Sequence, residues 1–249
     1  MLRSLFANIP DVTKNLLILN ILFFLAKIAL DAQGINSSQL LGMHYPTSNL
    51  FMPYQIVTHF FMHGDLFHIL FNMIGLVVIG SHLERVWGKK RFAFFYFFTA
   101  IGAAILHTVV QGIEIYNYTG YVFPDISEIK VYSGYIEYYA PDYLKLTAGN
   151  ENVGNAASIM AIPTVGASGA IYGLLAAFAF LFPNTQFMLL FPPIPIKAKW
   201  LALILAGIAI YSGYRNTPGD SIAHFAHLGG MLFGLLLVFI WKRNRNRFY

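Results

Sequence analysis

The sequence predicts an all-α protein, a polytopic membrane bundle of six transmembrane helices. Three observations predict it. Hydrophobic residues make up 57% of the 249 and charged residues only 11%, against about 25% charged in average globular chains. Several apolar stretches approach the roughly 17–25 residues needed to span a bilayer. The basic residues sit in short segments beside those stretches, and they sort onto one side of a six-helix topology. A single integral-membrane domain over 1–249 follows, with the lipid bilayer as its surroundings. The net charge of +5 does not point to nucleic acid, because the basic residues flank apolar helices. With no cysteine there is no disulfide, no thiolate nucleophile and no thiolate metal site.

The elements follow in order. The first apolar run covers 16–30. Lys27 and the lack of a small-x-small cleavage site argue for a retained helix over a signal peptide. Residues 31–53 form a loop with no Lys or Arg. The second helical region, 54–80, has a polar start containing histidines. A basic loop is expected at 81–91, a third span at 92–112 and a long polar insertion at 113–162. The fourth helical region, 163–182, contains Ser168. A proline-rich turn covers 183–199, a short fifth span 200–214, a loop 215–222 and a sixth span 223–241. A basic tail ends the chain.

Orientation follows from Lys and Arg, which concentrate in cytoplasmic segments. Arg3, Lys14, Arg85, Lys89, Lys90, Arg91, Lys197, Lys199, Lys242, Arg243, Arg245 and Arg247 fall on one side; only Lys130, Lys145 and Arg215 fall on the other. Both termini are therefore expected in the cytoplasm, with 113–162 an extracytoplasmic loop insertion. That insertion holds eight of the fifteen tyrosines. Tyrosine favours the headgroup level, so an interface-lying loop is expected there, ahead of a cap over a site mouth.

Polar groups inside such a bundle default to a functional reading. Gly166-Ala167-Ser168-Gly169 opens an apolar helix. Two glycines clear space around the hydroxyl and tolerate unusual backbone angles. Helix-start N–H groups there could hold an oxygen becoming an anion. At 1.5 Å per residue, Ser168 lies about 22 Å above Pro183, His227 about 21 Å above Trp241, and His68 and Asn72 about 24 and 18 Å above Glu84. With a hydrocarbon core about 30 Å thick, these residues share one layer below the outer surface. A Ser and a His in one layer fit nucleophile and general base. Asn72 follows His68 by four residues, on one helical face, and both can donate hydrogen bonds to an oxyanion. Tyr172 lies one turn below Ser168 and is placed to orient the base. No carboxylate lies at this depth, since Asp65 and Asp220 fall in loops or at helix ends. Interhelical glue is the lesser reading of His68 and Asn72, and a satisfied core histidine the lesser reading of His227. His63 and His59 are expected to be structural supports. Gly230 and Gly234 have the Gly-x-x-x-Gly spacing of a close helix contact, which would draw the His227 helix against the Ser168 helix. Glu84 and Arg85 are expected to form a surface pair or loop anchor.

Taken in order, His63-x4-His68-x3-Asn72, Gly166-Ala167-Ser168-Gly169-x2-Tyr172 and Ala226-His227-x2-Gly230-x3-Gly234 resemble the rhomboid family of intramembrane serine proteases, of the bacterial type. The resemblance implies a rhomboid-like six-helix bundle and a dyad without an acid, with Ser168 as nucleophile and His227 as general base. It implies an oxyanion site of His68, Asn72 and the Ser168 backbone N–H, and Tyr172 packed on the His227 ring. The implied substrates are single-span transmembrane proteins cut near the extracytoplasmic side, with no cofactor and no metal. The implied location is a bacterial plasma (inner) membrane. Where the family's bacterial members often carry a Trp-Arg pair, this chain has Met52-Pro53-Tyr54-Gln55. An inactive relative that binds transmembrane helices, and a histidine-rich metal transporter, are the competing readings. The presence of both Ser168 and His227 weighs against the first. The lack of His-Glu-x-x-His weighs against the second.

Overall fold

A computed structural model describes residues 8–188, 193–215 and 223–243. Arg3, Asp220, Arg245 and Arg247, which enter the expectations above, lie outside the described residues. The described chain is mostly helical, with two short antiparallel hairpins.

The first helix, Asp11–Ala32, starts after Pro10, whose fixed φ suits a helix entrance. Its first N–H groups need acceptors. Glu84, from the end of the second span, supplies them. Its carboxylate accepts from the Val12 N–H at 3.0 Å, the Thr13 N–H at 2.7 Å and the Thr13 hydroxyl at 2.8 Å. Glu84 is thus neither a surface charge nor Arg85's partner. It is buried, an anion seated on another helix's positive end. Arg85 donates instead to the Asn8 carbonyl.

The second span begins later and ends later than its composition suggests. Residues 54–65 form a short helix, Gln55–Thr58, and a 3-10 turn, His59–Phe61, before the chain breaks. Asp65 then caps a new start by accepting from the His68 N–H at 2.9 Å. From Leu66 the helix runs through a π turn, Leu76–Gly80, to Trp87. The basic loop expected at 81–91 is therefore absent. One residue, Gly88 at φ 77°, turns the chain, and the third helix starts at Lys89. Glycine alone takes that angle without strain.

The third helix, Lys89–Thr119, is 31 residues long and runs into the segment expected to be insertion. Beyond it lie a hairpin, Ser127–Tyr132 with Tyr135–Tyr139, and two helices, Asp142–Ala148 and Asn150–Ala161. These bury an apolar cluster of their own. Ile126, Ile129, Leu144, Val153 and Met160 pack with Ile115 of the third helix and Tyr45 of the first loop.

The fourth helix, Ser168–Leu181, is 14 residues long and enclosed along nearly its whole length. At about 21 Å it is too short to cross a core of about 30 Å. Its N-terminus, and Ser168 with it, therefore begins inside the protein. The fifth helix, Ala198–Arg215, follows a hairpin of Gln186–Met188 and Pro195–Lys197 and is largely exposed. The sixth, His224–Arg243, packs against the third and fourth. Four of the six helices, Asp11–Ala32, Leu66–Trp87, Lys89–Thr119 and His224–Arg243, are long and apolar enough to cross a membrane.

The fourth and sixth helices touch backbone to backbone. A Cβ on Gly230 would lie 1.9 Å from the Gly169 carbonyl oxygen, and one on Gly234 2.8 Å from that of Gly173. Neither approach tolerates a side chain, as in close small-residue contacts between membrane helices.

Candidate active site

The glycine contact sets the position of two side chains. With the backbones of Gly169 and Gly230 touching, Ser168 at the start of one helix and His227 near the start of the other face each other. His227 Nε2 lies 2.8 Å from Ser168 Oγ. In the tautomer with the proton on Nδ1, Nε2 accepts the serine hydroxyl hydrogen. Tyr172, one turn along from Ser168, lies flat beneath the imidazole, with ring centroids 4.1 Å apart and planes within 6°. Stacking at this distance restricts the imidazole's rotation, a restraint that a hydrogen-bonded acid provides in a three-residue arrangement.

Gly166 explains how a third group comes close. Its φ of 127° lies in territory that residues with a Cβ avoid. A Cβ there would sit 2.8 Å from His68 Nε2 and 3.5 Å from Ser168 Oγ. The missing side chain is therefore the space between imidazole and hydroxyl. The strained turn is held from outside. The Gly166 N–H donates to the His59 carbonyl at 2.9 Å, and Thr164 pairs with Met43 through two backbone hydrogen bonds of 2.8 and 2.9 Å.

The remaining predicted residues sit as follows. His63 is buried, meets the His68 ring edge-on at 5.0 Å, and shares a hydrogen bond of 3.2 Å with the Phe61 carbonyl. Asn72 is buried one turn below His68, and its side-chain Nδ2 has no hydrogen-bond partner among the described residues. A buried amide donor without an acceptor is costly. Gly64 N–H contacts His68 Nδ1 at 3.4 Å, which fixes the ring from its other side.

Sequence reasoning expected a structural His59 but not what it holds, and it missed the roles of Gln55 and His44. His59 is fastened by a 2.6 Å hydrogen bond from its Nδ1 to the Gln55 carbonyl while its own carbonyl holds Gly166. Gln55 stands in the first loop where the Trp-Arg pair is lacking. Its side chain accepts from His44 N–H at 3.4 Å and Met52 N–H at 3.1 Å, and donates to the carbonyls of Leu40 and Leu50 at 3.3 and 3.1 Å. One buried amide ties four points of the loop. The signal was a lone glutamine in an apolar neighbourhood. His44 joins the same loop to the insertion, between the Gln39 and Met160 carbonyls, and burial pushes its imidazole below the ordinary histidine range. Among the described residues, no three His, Asp or Glu side chains converge as a metal site requires.

The Rhomboid domain family matches residues 51–122 and 132–244. The chain is 26% identical over 197 residues to Rhomboid protein 1, mitochondrial, of Saccharomyces cerevisiae, covering 79% of this chain and 43% of that one. It is 26% identical over 194 residues to RHOMBOID-like protein 12, mitochondrial, of Arabidopsis thaliana, covering 78% and 48%. It is 26% identical over 184 residues to Rhomboid protease AarA of Providencia stuartii, covering 71% and 51%. The chain thus spans about half the length of these relatives. With its apolar helices and a family match across most of its length, this integral membrane protein belongs to the rhomboid family.

Proposed function

We propose that the chain is an intramembrane serine endopeptidase that cuts single-span transmembrane proteins near the extracytoplasmic side. The observation that carries this reading is the 2.8 Å approach of His227 Nε2 to Ser168 Oγ at the half-buried start of a helix too short to cross the membrane. His227 takes the hydroxyl proton as Oγ attacks the scissile carbonyl carbon. Negative charge moves onto the carbonyl oxygen, where the Ser168 N–H, His68 and Asn72 donate to it. The imidazolium then protonates the leaving amine, and an acyl-serine remains. Water, deprotonated by His227, attacks that ester and restores the serine. Tyr172 keeps the imidazole in plane through both halves, so no buried carboxylate is called for.

The reading includes a single membrane domain over 1–249, in a bacterial plasma membrane, with both termini cytoplasmic and 113–162 outside. The twelve-to-three division of basic residues supports the orientation. The test uses purified protein in liposomes with a single-span substrate. Ser168→Ala and His227→Ala are expected to abolish cleavage while the fold persists. Near-normal turnover by Ser168→Ala would overturn the proposal, and binding of substrate without cleavage by the wild type would favour a non-catalytic rhomboid.

A further inference from the structure

Beside the Ser168–His227 pair, a cavity of about 200 Å³ opens between the third, fifth and sixth helices and the segment leading into Ser168. Neither Ser168 nor His227 lines it. It borders both, through Thr164 and Val165 just before Ser168 and through His224 one turn before His227. Its walls are partly apolar, with Val110, Ile159 and Phe225 among them, and Thr164, Ser212 and His224 add polar groups. The third helix contributes a polar stripe: His107, Gln111 and Glu114, at i, i+4 and i+7, point their shared face into it. Glu114 is half-buried there and has no cationic partner among the described residues. Small-molecule sites usually measure about 300–1,000 Å³; this one is the size of a single side chain.

The geometry points to a specificity pocket for a Lys or Arg side chain of the substrate, with Glu114 as its counter-charge. The proposal rests on the protease reading above. A carboxylate in a half-buried, partly enclosed place favours a partner that brings positive charge to it. Lys and Arg also bring a long aliphatic stem that lies well along walls such as Val110 and Phe225, with only the head charged. The third helix gives the register. Ala103 marks the level of the Ser168 site, since a Cβ on Gly169 would meet the Ala103 Cβ at 2.4 Å. Glu114 lies about three turns, or about 16 Å, further toward the insertion. An extended substrate rises about 3.3 Å per residue. The basic residue therefore falls about four to six residues from the scissile bond, on the insertion side.

The experiment uses the full chain in liposomes and single-span substrates carrying Lys, Gln or Glu at each of positions three to seven from the cut. The readout is the ratio of kcat/KM for Lys over Gln within each enzyme. Wild type is expected to prefer Lys about tenfold at one or two of these positions. Glu114→Gln should bring that ratio to about one, and Glu114→Lys should shift the preference to the Glu substrate. An equal Lys preference in wild type and Glu114→Gln, or Ser168-dependent cleavage blind to charge at every position, overturns the pocket and leaves the protease reading standing. Cleavage that survives Ser168→Ala overturns the protease reading and the pocket with it.

Discussion

The bundle around Ser168 and the layer built by the insertion are both well packed, but by opposite means. Between the fourth and sixth helices, packing comes from what is missing: Gly169 and Gly173 on one helix, Gly230 and Gly234 on the other, with main chains in contact. In the insertion it comes from ordinary apolar side chains such as Leu144, Val153 and Met160 closing on Ile115 and Tyr45. The first kind of contact fixes a distance, because nothing in it can shorten or repack. The second supplies stability and tolerates adjustment. A hydroxyl and an imidazole that must meet at 2.8 Å are hung from the first kind. Polar connectors tie the insertion to the first loop, among them Gln39 Nε2 to the Ala161 carbonyl and His44 to the Met160 carbonyl, and the Met43–Thr164 pairing just after it precedes Gly166.

Substitutions can break this contrast. Gly230→Val is expected to have the largest effect. Its Cβ would overlap the Gly169 carbonyl, so the helices must part, at about 1–3 kcal/mol or more of stability. The Ser168–His227 hydrogen bond is lost with them. Thermal unfolding and substrate turnover should both fall, and full turnover in a folded Gly230→Val would show that the backbone contact does not set the distance. Asn72→Ala leaves the packing in place and removes one donor. Turnover should drop about 10²–10³-fold with substrate affinity nearly constant. A change in affinity alone would assign Asn72 to helix packing or recognition.

The insertion should respond differently. Leu144 is fully buried, and Leu144→Ala is expected to cost about 2–5 kcal/mol locally. Hydrogen exchange should rise across 126–161 and stay low in the fourth and sixth helices, because cooperative units open separately. Exchange rising equally in both regions would show that they are one unit. The smallest effect is expected for Asn49→Ala. That side chain bridges the first loop to the hairpin by accepting from the Ile129 N–H at 2.9 Å and donating to its carbonyl at 3.2 Å, contacts worth about 1 kcal/mol each. A cysteine at position 133, in a chain that has none, reports which side of the membrane the hairpin faces; labelling from outside is expected.

Legibility in the sequence divides along the same line. Ser168, Tyr172, Gly230 and Gly234 could be read because helical spacing converts directly into faces and depths. The family resemblance tied His227 to Ser168. What could not be read depends on partners far away in the chain. Glu84 beside Arg85 looks like a surface pair until the start of the first helix, 71 residues earlier, is found seated on it. Residues 81–91 look like a basic loop because charge masks a helix that turns on Gly88 alone. Residues 120–162 look unstructured because tyrosines and charges on their outer faces hide a short alternating hairpin and two helices. Gln55 showed only as a lone glutamine in an apolar stretch, and its role emerged from four loop hydrogen bonds.

The central claim is that Ser168 is a nucleophile activated by His227, and active-site labelling tests it most directly. Purified protein in liposomes is treated with a fluorophosphonate probe and the modified residue is located by mass spectrometry. One probe per chain on Ser168 is predicted, with none on Ser168→Ala and slow labelling of His227→Ala. Labelling of Ser168→Ala to the same extent as wild type, or a wild type that cleaves substrate while Ser168 stays unmodified, would contradict it.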